Sequence, residues 1–370
     1  MPGERYAGVM SGTSLDGVDA VVADFAPASG RPCERLGRAS VAFDAALRER
    51  LHALQAAGHD ETARAADVTV LLADPYAEAI LAACAHAGIA PADLVAAGVH
   101  GQTIRHRPER GWTVQLNDPA RVAERTGVTV VADFRRRDVA AGGQGAPLVP
   151  AFHAAVFGDA RIHRVVVNLG GIANLTDLPP AGLVRGFDTG PGNLLCDLWH
   201  LRHRGGPYDD RGRWAGSGTV QRPLLGAMLA DPYFAAPPPK STGRDRFHAE
   251  WLDGHLSRAD ASTSPADVQA TLVELTARSV ADAIAAHAPG AAEVHVCGGG
   301  ARNDALMAAL ARLLAPRPVR TTSAAGIDPQ DVEALAFAWL ARETLAGRPG
   351  NLPAVTGARG PRVLGAIHPR

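Results

Sequence analysis

Two glycine-rich turns, each between two apolar runs, recur in the two halves of this chain. The first turn, residues 11–17 (SGTSLDG), follows the apolar run 6–10 and leads into residues 18–25. Residues 18–25 are β-branched and roughly alternating, which predicts a strand and not a helix. P-loop and Rossmann sites instead place a helix after their glycines, so this turn matches neither of them. Because residues 165–177 repeat the same pattern around Gly170 and Gly171, the sequence predicts a duplicated β-hairpin.

The first turn has the groups that bind a polyphosphate and its metal. Unhindered backbone N–H groups and hydroxyls suit phosphate oxygens, and the carboxylate of Asp16 suits Mg²⁺, bound through water. An ordinary glycine-rich hairpin turn is the alternative interpretation.

Composition limits the other classes of function. A length of 370 residues predicts two domains, and a net charge of −1 gives no indication of nucleic acid or an anionic membrane as partner. No apolar run approaches the length of a membrane span, and residues 1–8 lack the apolar core of a signal peptide. Four widely spaced cysteines match neither a zinc site nor a disulfide framework, so we expect buried free thiols in a reducing cytoplasm.

The order of predicted elements indicates an α/β protein of two domains. Strands are expected at 94–99, 113–117 and 128–132, and helices at 44–58, 61–88, 119–127, 265–288 and 328–346. Asp60 is a candidate N-cap. Residues 205–246 are expected to form a long loop punctuated by prolines.

A third glycine turn, at residues 294–304, follows a strand and precedes a predicted helix. Glycine there lets an adenosine lie close to the backbone, where a Cβ would clash. Three such turns in this order resemble the actin-like ATPase superfamily. The resemblance implies a ribonuclease H-like fold of two related domains, with a cleft between them that holds ATP and a sugar.

Five motifs extend this resemblance to one family, the anhydro-N-acetylmuramic acid kinases. They are SGTSLDGVDA (11–20), GVHGQTIRHRP (98–108), NLGGIANLT (168–176), GFDTGPGN (186–193) and CGGGARND (297–304). The resemblance implies an enzyme that uses ATP, Mg²⁺ and water to open the 1,6-anhydro ring and phosphorylate O6, in the recycling of cell-wall sugars. It also implies domains at 1–135 and 136–350, with the tail 351–370 packed on the first, and a possible homodimer.

The resemblance assigns roles to particular residues. Asp188 is the expected base that accepts the proton of the attacking water, although a turn in which it bonds only its own backbone is the alternative. Glu333 is expected to face the sugar, or else only to favour its helix dipole. Expected ATP and phosphate contacts are Gly12, Thr13, Ser14, Leu15, Asp16, Gly17, Val18, Asp19, Gly170, Gly171, Gly298, Gly299, Gly300 and Asn303, with Asp16 the Mg²⁺ residue. Expected sugar contacts are His100, Gln102, Asn117 and Asp133. Independently of the resemblance, residues 240–244 (KSTGR) are a further candidate for phosphate contact.

Two questions stay open at this point. Arg105, Arg107 and Arg135 are equally able to pair with the lactyl carboxylate, because a guanidinium matches that group. Another sugar kinase of the same fold, or an actin-like ATPase switch without enzymatic activity, are the alternative functions. The motifs GFDTGPGN and GVHGQT favour the anhydro-sugar kinase.

Overall fold

The computed structural model of the protein describes residues 4–12, 15–258 and 263–370. Thr13 and Ser14, two of the predicted phosphate contacts, therefore lie outside the described residues. The strands are β1 Arg5–Met10, β2 Gly17–Asp24, β3 Glu34–Ala42, β4 Ala96–Val99, β5 Gln102–Arg107, β6 Trp112–Leu116, β7 Val130–Ala132, β8 Arg164–Leu169, β9 Ile172–Leu178, β10 Arg185–Pro191, β11 Glu293–Cys297, β12 Val319–Thr321 and β13 Ala366–His368. The helices are α1 Ala45–Ala53, α2 Glu61–Ala87, α3 Pro119–Thr126, α4 Arg136–Ala140, α5 Val149–Phe157, α6 Leu194–Arg204, α7 Arg222–Leu229, α8 Pro232–Ala235, α9 Ala249–Leu256, α10 Pro265–His287, α11 Asp304–Leu314, α12 Val332–Leu345 and α13 Pro353–Thr356.

Two sheets carry the same topology. In the part of the chain that the structure describes, one has the order β13-β7-β4-β1-β2-β3 and the other the order β10-β9-β8-β11-β12. In each, the first three strands in chain order are antiparallel and the next two run parallel to the first of them. This repeated ribonuclease H-like order confirms the predicted α/β fold and both predicted hairpins, β1–β2 and β8–β9.

The chain forms two compact units. Unit 1 contains the residues up to 156 and Asp331–Arg370, and unit 2 contains Phe157–Gln330. The sequence placed these divisions at 135/136 and 350/351 instead. The divisions differ because α12 packs on β1 and β4 of the first sheet, and β13 pairs antiparallel with β7.

Backbone contact explains the close packing of α12 on the first sheet. A Cβ at Gly8 would come within 1.9 Å of the carbonyl oxygen of Ala334, and one at Gly98 within 2.0 Å of that of Phe337. Only glycine permits this approach. As a result, α12 brings Glu333 and the ring of Phe337 to unit 1.

Helix α2 corrects the expectation that no apolar run is long enough to span a membrane. Its 27 residues meet that length and composition, but half of its most apolar window is buried in the fold. The helix packs on β2 and β3; a Cβ at Gly37 would lie 2.2 Å from the carbonyl oxygen of Ala83. A core helix of this kind passes the same test, so α2 is weak evidence for a membrane span. Asp60 is at the N-cap position of α2, as predicted, but its side chain makes no capping hydrogen bond.

The segment 205–246 is not the long loop that its prolines predicted. It contains α7 and α8, each with a proline at its first or second position. Proline fits there because the first N–H groups of a helix have no intrahelical partner. These prolines therefore mark the starts of helices.

Candidate active site

The first hairpin carries Asp16 at its turn. Leu15 has a left-handed backbone (φ 57°), which is strained for a residue other than glycine, and its side chain is buried. Asp16 is exposed. Asp19 on β2 accepts hydrogen bonds from Ser40 and, at 3.3 Å, from Arg38. Because the side chain of Val18 is buried in the core, only its backbone can contact a ligand.

Asp16 is the residue of this hairpin that fits Mg²⁺. Mg²⁺ generally binds through one or two carboxylates together with substrate phosphates, and it keeps several of its waters. An exposed carboxylate beside the turn supplies that donor. Among the described residues, no group of three or more His, Cys, Asp and Glu side chains could hold a metal ion.

The second hairpin is fixed by its carbonyl groups. The backbone N–H of Asn193 donates to Gly170 O at 2.8 Å, and those of Gly192 and Leu194 donate to Gly171 O at 2.9 and 3.1 Å. Neither Gly170 nor Gly171 has a left-handed φ, and a Cβ would meet nothing closer than 3.5 Å at Gly170 and nothing within 4 Å at Gly171. The chain itself therefore does not require glycine at these positions, whereas a closely approaching ligand would.

In the third glycine turn, the fold requires glycine at Gly298 but leaves room for a side chain at Gly299. Gly298 has φ +81°, and a Cβ there would lie 2.4 Å from Asn168 Oδ1; at Gly299 the nearest atom would be 3.6 Å away. Gln330 Nε2 donates to Gly298 O at 2.8 Å and holds the turn. Asn303 Oδ1 accepts from Leu306 N at 3.0 Å, so it caps α11. An adenosine contact from Asn303 would have to come from its other side-chain atom, Nδ2.

Asp188 lies on β10 at a bulge, opposite Asn174 of β9. A bulge re-aims a side chain relative to the regular pleat. Three backbone contacts hold the residue: its N–H donates to Lys240 O (3.1 Å), its carbonyl accepts from Tyr233 Oη (2.7 Å), and Thr242 N donates to its Oδ2 (3.0 Å). Among the described residues no hydrogen bond reaches Oδ1.

Burial raises the pKa of Asp188 to about 6, and the hydrogen bond from Thr242 opposes that shift. A carboxyl group with this pKa is ionised at neutral pH yet is a stronger base than an ordinary aspartate. One bound and one unbound oxygen give it an orientation and a free lone pair. The turn in which Asp188 bonds only its own backbone does not occur.

In unit 1, His100 is held by Arg135. Arg135 donates from Nε (3.1 Å) and Nη2 (2.9 Å) to His100 Nε2, and from Nη1 to Gly145 O (2.8 Å). Burial and the guanidinium charge hold the pKa of His100 well below its usual value. Since Nε2 is an acceptor, the ring is neutral and its proton sits on Nδ1. Phe337 packs on the ring at 4.7 Å between centroids.

Two predicted sugar contacts have open acceptors. Gln102 Nε2 donates to Gly12 O (3.1 Å) and Asn117 Nδ2 to Val99 O (3.3 Å). The amide oxygens, Gln102 Oε1 and Asn117 Oδ1, are buried and have no partner among the described residues. Buried acceptors without donors are costly, so both suit the hydroxyl and amide N–H donors of a sugar.

Asp133 follows β7 with a left-handed backbone, φ 61°. Strained residues of this kind concentrate at functional sites. Burial raises the pKa of its carboxyl group, and the charge of Arg136 opposes that rise. Glu333 is half-buried in the first turn of α12. Burial lowers the pKa of Arg135 to about 10, and the negative charges of Glu333 and Asp138 oppose that shift.

The three arginines that are candidates to pair with the lactyl carboxylate already have different partners in the fold. Arg105 donates to Glu61 (2.9 Å) and to backbone carbonyls, and Arg135 is bound to His100. Arg107 donates to the carbonyl of the preceding residue, His106.

Four residues around these turns were not found from the sequence, or were given another role. Tyr233 and Thr242 contact Asp188, and Gln330 holds the third turn. Lys240 belongs to a segment that the sequence offers for phosphate contact, but its ammonium group donates to two backbone carbonyls. A compositional signal for Lys240 does exist: it is the only lysine in the sequence.

Fold and turns together define a class of protein. Two ribonuclease H-like units, each with a glycine hairpin, and a glycine turn after β11 are the arrangement of actin-like ATPases and sugar kinases. The sequence model of one family, anhydro-N-acetylmuramic acid kinase, matches residues 4–370. The chain belongs to that family.

Two curated relatives agree with this assignment. The anhydro-N-acetylmuramic acid kinase of Bordetella petrii is 57% identical, covering 100% of this chain and 97% of its own. That of Nitrosospira multiformis is 52% identical, covering 100% of both. Among solved structures, the activator of the 2-hydroxyisocaproyl-CoA dehydratase from Clostridium difficile, with bound ADPNP, is similar with a TM-score of 0.45. It is 12% identical, covering 90% of this chain and 92% of that one.

Proposed function

We propose that this kinase opens the 1,6-anhydro ring of anhydro-N-acetylmuramic acid with water and transfers the γ-phosphoryl group of ATP to O6. The products are N-acetylmuramic acid 6-phosphate and ADP, and the role is recycling of cell-wall sugar. Family membership supports the substrate. The observation that carries the chemistry is Asp188, whose pKa burial raises to about 6 and whose Oδ1 has no partner among the described residues.

The proposed reaction balances through one proton transfer. Asp188 accepts a proton from water as the water oxygen bonds to C1 of the sugar. The C1–O6 bond breaks, and its electron pair goes to O6. O6 then bonds to the γ-phosphorus while the bond from that phosphorus to the bridging oxygen of ADP breaks.

Other residues are assigned to binding. Gln102 and Asn117 offer amide oxygens to the sugar, and we expect His100, Asp133 and Glu333 to complete its contacts. The N–H groups of the two hairpins would bind phosphates, and Gly298, Gly299 and Gly300 would face the adenosine. Asp16 would hold Mg²⁺, which neutralises charge on the phosphates.

The proposed compartment is the cytoplasm. Cys33, Cys84, Cys196 and Cys297 are buried and free, as expected of thiols in a reducing compartment.

The test is ADP release from Mg²⁺-ATP with and without the anhydro sugar, run in ¹⁸O-labelled water. We expect sugar-dependent ADP release, with the label on the anomeric oxygen of the product. Sugar-dependent release without that label would indicate another sugar kinase chemistry. ADP release that ignores the sugar would reject the proposal and favour an ATPase switch.

A further inference from the structure

Lys240 stands apart in the composition of this protein. It is the only lysine among the 37 lysine and arginine residues of the sequence, and the others are all arginine. Its ammonium group donates to the carbonyls of Tyr233 (3.0 Å) and Phe234 (3.1 Å) and lies 4.7 Å from the centroid of the Tyr233 ring. A compact ammonium with three donors fits two carbonyls and a ring face, whereas a planar guanidinium is suited to bidentate partners.

These contacts join a short segment to the proposed base. We call residues 236–242, which lead from the end of α8 past β10, the strap. The strap binds Asp188 twice, through Lys240 O and Thr242 N, and Tyr233 of α8 binds the carbonyl of Asp188. The side chain of Lys240 bonds back to α8, so the three contacts on Asp188 depend on one connected set of residues.

We propose that Lys240 and Tyr233 are positioning residues that fix the orientation and burial of Asp188 through the strap. This inference rests on the proposed function, in which Asp188 is the base. It assigns Lys240 a role different from that of a phosphate ligand. The strap keeps water away from Oδ2 and leaves Oδ1 for the water that reacts.

Charged and titratable groups from several described segments lie near this assembly. Tyr233 comes from α8, Lys240 from the strap, and His287 from the end of α10, where its ring packs on Phe187 at 5.1 Å between centroids. Burial, followed by the charges of Lys240 and Arg185, lowers the pKa of His287. Arg246 lies 5.6 Å from the Tyr233 ring and is paired with Asp231.

The first experiment uses the single lysine as a spectroscopic probe. The full chain made with lysine labelled with ¹³C at Cε gives one lysine signal in an NMR spectrum. We expect a signal unlike that of a solvated lysine, unmoved by a non-hydrolysable ATP analogue with Mg²⁺ and shifted in Tyr233→Phe. A solvated signal, or one that the nucleotide moves as a direct ligand would, overturns the proposal.

The second experiment separates positioning from binding. In Lys240→Met and Tyr233→Phe we expect kcat to fall about tenfold or more, since small displacements of a catalytic group are costly, while KM for ATP changes less than about twofold. The acidic limb of kcat/KM should move down by about half a pH unit or more, because water admitted beside Asp188 removes the burial that raises its pKa. Lys240→Arg should recover part of kcat, since it keeps a cation and donors.

Two controls and two contrary outcomes complete the test. Arg202→Gln, which breaks an exposed ion pair with Asp253 in unit 2, should behave as the unmodified protein, and His287→Gln should leave the acidic limb in place. A large rise in KM for ATP with an unmoved limb would make Lys240 a phosphate ligand. An unchanged kcat and an unchanged acidic limb of kcat/KM in Lys240→Met and Tyr233→Phe would also reject the proposal. The NMR result needs no turnover, so it decides on the strap even if the proposed function fails.

Discussion

At the scale of single residues, Asp188 carries two opposing requirements. Burial gives its carboxylate useful basicity, and the same burial makes the charged form unfavourable in the folded protein. Activity and stability should therefore respond in opposite directions when the charge is removed.

Asp188→Asn should lower kcat by about 10² to 10⁴, the usual contribution of a general base. Nucleotide binding should remain, because the amide oxygen still accepts from Thr242 N. Steady-state kinetics with the anhydro sugar and a separate ADP titration measure the two effects. Near-normal turnover would remove Asp188 from the mechanism.

The same variant should be more stable than the unmodified protein at pH 7.5. The folded-state pKa of Asp188, about 6, lies above the usual value of 3.8, so the folded protein keeps a proton between about pH 4 and 6 that the unfolded chain has lost. Stability from this group is present below pH 4 and is lost as the pH rises through 6. The gain at pH 7.5 is at most about 3 kcal/mol.

Urea unfolding at pH 4 and pH 7.5 tests this sign. The difference between Asp188→Asn and the unmodified protein should shrink toward zero at pH 4. Asp253→Asn, at an exposed carboxylate paired with Arg202, should show no such gain. A loss of stability at pH 7.5 in Asp188→Asn would contradict the burial argument.

At the scale of elements, Gly171 in the turn of the second hairpin and Gly192 after β10, which contacts that turn, have different surroundings. A Cβ at Gly192 would lie 2.2 Å from Gly170 O, while one at Gly171 meets nothing within 4 Å. Gly171 and Gly192 therefore form a matched pair of positions for testing the effect of an added methyl group.

Gly171→Ala should fold normally, with a melting temperature within about 2 °C of the unmodified protein. Its KM for ATP should rise about tenfold, equivalent to about 1.4 kcal/mol, because the added methyl group occupies the approach of a phosphate. Gly192→Ala should instead be clearly destabilised. Calorimetry and ATP-dependence curves measure both, and an unchanged KM in Gly171→Ala would argue against phosphate binding at this turn.

Elements with strong local patterns were predictable from the sequence. The hairpins β1–β2 and β8–β9 follow from alternating β-branched residues, and α10 begins with proline at the predicted residue, 265, after its Ser264 cap. The strap and its contacts were not predictable, since they depend on bonds between residues about 50 positions apart in sequence, such as Asp188 and Thr242. Short helices such as α8 bury few residues, so their periodicity is too brief to detect.

The sequence also could not show the contacts within the site that join residues far apart in the chain. The forked donation of Arg135 to His100 joins two segments that composition does not connect. The roles of Asp188 and Glu333 came from the family resemblance, and those of the glycine turns came from their own residues together with it. All of them remain predictions for the experiments above.

At the scale of the whole molecule, Asp138 binds the tail to the earlier part of unit 1. It is fully buried and accepts from Gly145 N (2.7 Å), Asn351 Nδ2 (2.6 Å) and Thr356 Oγ1 (2.8 Å). A buried carboxylate needs all of these donors. Thr356 therefore contributes to the stability of the fold.

Thr356→Val should destabilise unit 1 by about 1 to 3 kcal/mol, because it removes a donor to a buried charge without changing shape. Urea unfolding followed by a probe in unit 1 measures the loss. Ser257→Ala, at an exposed hydroxyl in unit 2, should leave that transition in place. An unchanged midpoint for Thr356→Val would show that the tail contributes little.

The division of the chain also sets an order of events during synthesis. Unit 2 is inserted between two parts of unit 1, and β13 and α12 of unit 1 leave the ribosome after every residue of unit 2. Until then the first sheet lacks its outer strand and the helix that covers Gly8 and Gly98. The unit that begins second is thus the first that can complete its fold, and nascent unit 1 must wait with part of its apolar sheet uncovered.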